Sequence, residues 1–324
     1  MRRPKTLPVF TKNEREAAHV YLATQVAYMM GRKMEEADWS SVYCRAKGIP
    51  EQGWSNLSID VIYEGLGVEH KMLRVASDAP IKGYCGTSQM HPSATRAIRI
   101  ASTDVDPNEL MDDVLTQYGR NLDARRAEIK ENFPQKEPDL RTGWLLWQSN
   151  LTEFLYFEEE ALNPDPKDYF AEWKESGGSG ARKPSKNLWI YEKETGKKRY
   201  SVTTAAGIKI QPYFDVPPPN DTNLYILRVQ GEEIAPGIIR IWVGSSTARE
   251  LEHLVGSLTP ERLMEVIAAT ASDPNESDRA AAVSREQAVS ISLTAESYRL
   301  LVASFPGAVS DEHLAQLLVN RLRK

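Results

Sequence analysis

The sequence predicts an α/β protein: a mixed sheet flanked by helices, followed by a strand-rich and then helical C-terminal portion. Three observations carry that expectation. A capped amphipathic helix opens the chain, two short β-type runs separated by a turn come next, and a long second helix leads into further strand-like runs.

Residues 11–35 place Ala17, Ala18, Tyr21, Leu22, Val26 and Met29 at helical spacing, and Thr11-Lys12-Asn13-Glu14 has the form of a capping box. Gly31 loosens the end of that helix. A partly aromatic stretch (Trp39, Tyr43, Trp54) precedes the runs 57–63 and 67–73, whose separation by Glu64-Gly65-Leu66 is a hairpin signal. Residues 81–91 are Gly-rich and irregular, and the segment from Pro92 to Ile100 suits either a short helix or a strand. Asp106-Pro107 opens a helix with Leu110, Val114, Leu115, Leu122 and Ile129 as its apolar face, and Pro134 ends it. Strand-like runs follow at 143–148 and 152–158. Between 151 and 175 eight acidic residues face two basic ones, and Ser176-Gly177-Gly178-Ser179-Gly180 then reads as a linker or mobile loop. Strands are expected at 188–191, 199–204, 208–216, 224–229 and 238–243, with Thr259-Pro260-Glu261 starting one of about three closing helices. No repeat of about 20–50 residues is visible, which argues against a solenoid.

Composition bounds the function. The chain has 324 residues, 41% hydrophobic and 26% charged, and a formal net charge of -5. Mean hydropathy is -0.46, and no apolar stretch approaches the ~18 residues of a membrane-spanning helix. The N-terminal residues lack the apolar run of about 7–15 residues of a secretory signal, so a cytoplasmic protein without a membrane partner is expected. Cys44 and Cys85 allow at most one bridge, and His19, His70, His91, His253 and His313 lack zinc-site spacing.

The hairpin holds the chemistry. It reads SIDVIYEGLGVEHKML, with Asp60 in the first run and Glu69 and Lys71 in the second. Residues two apart on a strand point to one face, so Glu69 and Lys71 project together while His70 points away. The turn folds the chain back far enough for Asp60 to meet them. Two carboxylates beside an ammonium are hard oxygen ligands of the kind that suits Mg2+, which takes a few carboxylates and completes its shell with water and phosphate oxygens. Such a centre suits phosphodiester hydrolysis, with Asp60 and Glu69 as metal ligands and Lys71 positioning the attacking water.

On these residues the chain resembles the PD-(D/E)xK nucleases, the restriction-endonuclease-like superfamily. Asp60 matches the first acid, Glu69 the second and Lys71 the lysine; Ile59 stands where the motif name has proline. The resemblance spans roughly residues 11–165. It implies a catalytic core over 1–175, with 188–324 serving DNA recognition, dimerisation or both, as a separate domain or an extension of the core sheet. It also implies a further acid from the first helix, for which Glu14 and Glu16 are the candidates. The acid-x-lysine spacing alone is weak, since Glu128/Lys130, Asp165/Lys167 and Glu172/Lys174 repeat it. Only Glu69/Lys71 lies in a strand-like frame, between Val68 and Met72-Leu73.

Local charge points to nucleic acid. Residues 71–100 carry five basic residues against Asp78, and 181–200 carry seven against Glu192 and Glu194. Lys82, Gln89, Ser93, Thr95, Arg96, Arg99, Arg182, Lys183 and Lys186 are the candidate DNA contacts, reaching phosphates or base edges. His91 and the two cysteines are expected to be ordinary, and Trp144, Trp147, Trp189 and Trp242 to be core residues. What the resemblance implies is a magnesium-dependent, site-specific endonuclease of double-stranded DNA, most like a type II restriction enzyme. Such an enzyme works as a homodimer and leaves 5′-phosphate and 3′-hydroxyl ends. A repair, recombination or modification-dependent nuclease of the same fold is one alternative; a non-catalytic DNA-binding or assembly protein is another.

Overall fold

The computed structural model describes residues 4–50, 59–76, 79–92, 98–176, 185–204, 208–270 and 287–323. A short strand β1 (Thr6–Leu7) precedes α1 (Lys12–Met29), which begins at the expected capping box: the Glu14 amide donates to Thr11 Oγ1 at 3.3 Å and the Thr11 amide to Glu14 Oε2 at 2.6 Å. This helix ends earlier than its pattern suggests, because Met30 and Gly31 both take positive φ. The aromatic stretch after it is a second helix, α2 (Glu36–Lys47), which buries Trp39, Val42, Tyr43 and Ala46.

The hairpin follows as β2 (Val61–Tyr63) and β3 (Leu66–Val75), turning at Glu64 and Gly65, both at positive φ. Then come β4 (Ser88–Met90), α3 (Pro107–Asn132), β5 (Asp139–Gln148) and β6 (Glu153–Glu160). Asp106 caps α3 through the Asn108 and Glu109 amides, with Pro107 at its first position. The acidic stretch read as leading into a linker contains β7 (Tyr169–Ser176), which pairs antiparallel with β8 (Ser185–Glu192). Beyond these lie β9 (Lys198–Thr203), β10 (Lys209–Asp215), β11 (Tyr225–Arg228), β12 (Glu232–Ala235) and β13 (Ile238–Gly244). The chain closes with α4 (Ser245–Val255), α5 (Pro260–Thr270), β14 (Ala288–Thr294), α6 (Ala295–Ser304) and α7 (Asp311–Leu322).

Three sheets result. The first runs β1-β6-β5-β3-β2, with β11 also on β6; β3 and β5 are parallel, joined through α3, as the α/β reading requires. The second is antiparallel, β4-β10-β9-β8-β7, and the third is β12-β13-β14. Helices α1 and α2 cover one face of the first sheet, where Leu22, Val26, Trp39 and Tyr43 meet Val68, Leu145 and Phe154. On its other face Trp144, Leu146 and Phe157 pack with Phe214 of β10. Helix α3 lies on the second sheet through Leu110, Val114 and Leu115 against Leu188, Ile190 and Val202. The four closing helices share a core with the third sheet. Strand pairings cross the boundary expected near residue 175: β11 joins β6, and β4 joins β10. Among the described residues no helix is long and apolar enough to cross a membrane.

Two buried features of the first sheet have measurable consequences. Glu158, fully buried, lies 3.1 Å from the Arg141 guanidinium and accepts from the Tyr156 hydroxyl at 2.9 Å. Gly143 of β5 sits opposite His70 in register, and a Cβ there would run into the Tyr156 hydroxyl and the His70 ring. Gly143→Ala is therefore expected to cost about 1–3 kcal/mol by overpacking. Chemical denaturation checks this; an unchanged midpoint would refute it.

Candidate active site

Strand β2 is three residues long and pairs with Leu66–Val68. Beyond it, the described neighbour of Glu69–Val75 is β5 alone, so that part of β3 presents an edge. Asp60 lies in a bend just before β2, not inside the strand, one step past the Val61–Val68 pair and so opposite Glu69. Its Oδ2 accepts the His70 amide at 2.6 Å, which ties the carboxylate to the edge. Glu69 and Lys71 share a face as their spacing requires, and Lys71 Nζ donates to Glu69 Oε1 at 2.8 Å. The three expected residues are brought together.

Two further residues complete the cluster. Arg125 of α3 places Nη1 3.2 Å from Glu69 Oε2; both atoms are buried, and neither completes a hydrogen bond. Glu36, at the start of α2, is near enough to act on Asp60 electrostatically. The Glu36 carboxyl is itself pushed up by burial, with Lys71 pulling it down and Glu69 pushing it up. Asp60 responds most. Burial first, then the Glu69 charge, push its carboxyl up to about 7, against the His70 amide and Lys71, with Glu36 adding to the rise.

Of the acids on the two N-terminal helices, Glu36 is the one that acts on Asp60, whereas Glu14 and Glu16 are engaged or exposed elsewhere. Glu14 is occupied by the Thr11 cap and lies 3.6 Å from Lys47 Nζ, while Glu16 is exposed on α1. Burial works against ionising Glu14, but the Thr11 hydrogen bonds and Lys47 outweigh it and hold the carboxyl below its ordinary value. Sequence carried a signal for the helix that holds Glu36: Trp39, Val42, Tyr43 and Ala46 have helical spacing, and Gly48 ends the run at positive φ. Glu36→Gln is expected to move Asp60 downward from about 7, since it removes a like charge. Carboxyl-carbon NMR titration reads this, and an unmoved Asp60 would refute it.

Glu69, Lys71, Tyr118, Asn121, Arg125 and Thr142 line a cavity of about 310 Å³ between β3 and α3. A larger one of about 790 Å³ shares its Tyr118, Thr142, Trp144 and Pro212 walls and carries Glu159 and Asp215. The cluster therefore has a cleft beside it.

Magnesium is tested by the donor set. Asp60 and Glu69 are hard carboxylates held close enough for one to disfavour ionisation of the other, and a divalent cation would relieve that repulsion. Among the described residues no three His, Cys, Asp or Glu side chains form a ready-made cage. Both carboxylates are the hard donors that Mg2+ takes, and a cation there would displace Lys71 Nζ from Glu69 Oε1 and complete its shell with water and phosphate oxygens.

The remaining expected residues divide. Ser93, Thr95, Arg96, Arg182 and Lys183 lie outside the described residues. Lys82, in the short 3-10 turn Ile81–Tyr84, and Arg99 are exposed. Gln89 in β4 donates to Thr87 Oγ1 at 2.8 Å. Lys186 Nζ donates to the Thr103 carbonyl at 2.8 Å and lies over the Trp173 ring. His70 is a core residue, edge-on to Tyr43 and Tyr156 with Nδ1 2.9 Å from Ser40 Oγ, and burial lowers it to about 3. His91 is also buried, with Nε2 2.9 Å from the Met72 carbonyl, and burial lowers it to about 4. Cys44 and Cys85 are not joined in a disulfide, and burial raises the Cys85 thiol, which disfavours its thiolate. Trp144, Trp147 and Trp242 are buried as expected; Trp189 is not, and lies partly exposed outside the cores. Comparisons with protein-family models, curated proteins and solved structures find no match to this chain.

Proposed function

We propose that the chain is a magnesium-dependent DNA endonuclease of the PD-(D/E)xK kind, most like a type II restriction enzyme acting as a homodimer on double-stranded DNA. The observation that carries this reading is the meeting of Asp60, Glu69 and Lys71 at one strand edge, with Asp60 pushed up to about 7 chiefly by burial and the Glu69 charge. A structural ion pair needs no such compression of acids. Glu36 and Arg125 support the reading from two helices.

Asp60 and Glu69 would hold the cation. When bound, Mg2+ polarises the scissile phosphoryl group and lowers the pKa of a bound water. The chain's own residues do the rest. Lys71 orients the attacking water and offsets charge that develops on the phosphate oxygens. Arg125 flanks Glu69 Oε2 and restrains the rotation of that carboxylate. Water adds to phosphorus, the P–O3′ bond breaks, and the products are a 5′-phosphate and a 3′-hydroxyl.

The test is incubation of supercoiled plasmid with and without Mg2+. Discrete metal-dependent fragments are expected. Random nicking favours a repair or recombination nuclease of the same fold. DNA retention with no cutting in any divalent metal favours a non-catalytic binding protein, in which the 2.8 Å Lys71–Glu69 pair is structural.

A further inference from the structure

The second sheet has two unlike faces. Leu188, Ile190, Val202 and Ile210 point toward α3, so the alternate residues of the same strands point away from it. That opposite face is aromatic. Phe170 and Tyr191 are directly paired across β7 and β8 and stack at 5.2 Å with their planes 15° apart. Trp189 lies two residues from Tyr191, and Lys198 Nζ sits 3.5 Å from the Trp189 ring centroid and 4.7 Å from that of Tyr213. Tyr213 is paired with Met90, which is exposed. All four rings are partly exposed and belong to none of the hydrophobic cores. Lys209 shares the face; of the acids that alternation places there, Glu172 is paired with Lys174 at 2.8 Å and Asp215 with Arg199 at 3.0 Å and Lys197 at 3.4 Å.

We infer that this face binds unstacked, single-stranded nucleic acid. One face of each ring is taken, by its stacked neighbour or by Lys198, and successive bases would stack on the faces these contacts leave, since every base has a π-face. The lysine ammoniums between them match backbone phosphates, so charge selects a polyanion over a neutral partner. Duplex DNA keeps its base faces inside the helix and cannot use the rings. Tyr213, at one end of this face, also lines the 790 Å³ cavity that shares walls with the Glu69/Lys71 cavity, whereas Phe170, Trp189 and Tyr191 line neither cavity. The face therefore adds a second nucleic-acid contact, and it does not depend on the nuclease reading.

The experiment is fluorescence anisotropy of the full chain with end-labelled oligothymidine and with a duplex of equal length, in EDTA so that cleavage plays no part. Oligothymidine is expected to bind at least about tenfold tighter than duplex. Trp189→Ala is expected to weaken oligothymidine binding about 5- to 150-fold, the range of one lost stacked base. Trp189→Phe should stay within about threefold of the parent, and Lys198→Ala should reduce the salt slope by about 0.7. Tyr213→Ser is a second variant should Trp189→Ala fail to fold, and unchanged melting qualifies each. Equal binding of duplex and single strand, or full binding by Trp189→Ala, would overturn the inference. So would a dimer that Trp189→Ala dissociates without DNA binding, which would assign the face to a second copy. Because no metal is present, failure here leaves plasmid cutting intact, and failed cutting leaves oligothymidine binding intact.

Discussion

Lys71→Ala is expected to lower magnesium-dependent cleavage by about 10²–10³-fold, the scale of losing one preorganised charge donor at a developing oxyanion. Its effect on metal affinity should be in the opposite sense. Lys71 neutralises Glu69 at 2.8 Å, so its removal leaves Glu69 freer to hold a cation. Asp60→Asn should lose metal affinity and cleavage together, because it removes a ligand. Cleavage rates across a magnesium titration separate the two, with Lys71→Ala lowering the plateau and Asp60→Asn moving the midpoint upward as well. Parental cleavage by Lys71→Ala would remove the lysine from the chemistry.

Arg141→Ala is expected to have the largest effect on stability, about 3–5 kcal/mol, because it strands the fully buried Glu158 carboxylate without its countercharge. The loss should depend on pH in a defined sense. Burial raises the Glu158 carboxyl, and Arg141 is the leading influence that pulls it back down. Without Arg141 the folded state favours the protonated acid more strongly. A group whose folded pKa is raised stabilises below its unfolded value and loses that contribution as pH climbs through the folded value. The gap between Arg141→Ala and the parent should therefore widen from acid toward neutral pH in denaturant titrations. A gap independent of pH would show that Glu158 is not the group left unpaired.

Much of this was legible because local rules decided it. The Thr11/Glu14 box, the Asp106-Pro107 start and the hairpin turn at Glu64-Gly65 depend on neighbours within a few residues. The acid-x-lysine pair was legible for the same reason, since period-two geometry alone puts Glu69 and Lys71 on one face. Glu36 was missed because it lies just past the helix expected over 11–35, at the start of a partly aromatic stretch for which no element is expected and which forms α2. Arg125 left no local trace; only the packing of α3 beside β3 brings it to Glu69. Trp189 was misplaced because an apolar run in a strand does not reveal which face is covered. Its neighbours Leu188 and Ile190 took the side that α3 occupies. Strand β7 was hidden by acidic composition, although Tyr169, Ala171 and Trp173 alternate correctly for a half-buried strand.

The pairing of β11 with β6 ties together stretches of chain about seventy residues apart, and the Tyr225 hydroxyl reaches the amides of Val9 and Phe10 at 3.2 and 3.1 Å. During synthesis the edge of β6 must wait for that late strand, so the early half emerges with unsatisfied main-chain groups. A fragment ending near residue 175 should accordingly aggregate, while one reaching past Arg228 regains the missing partner.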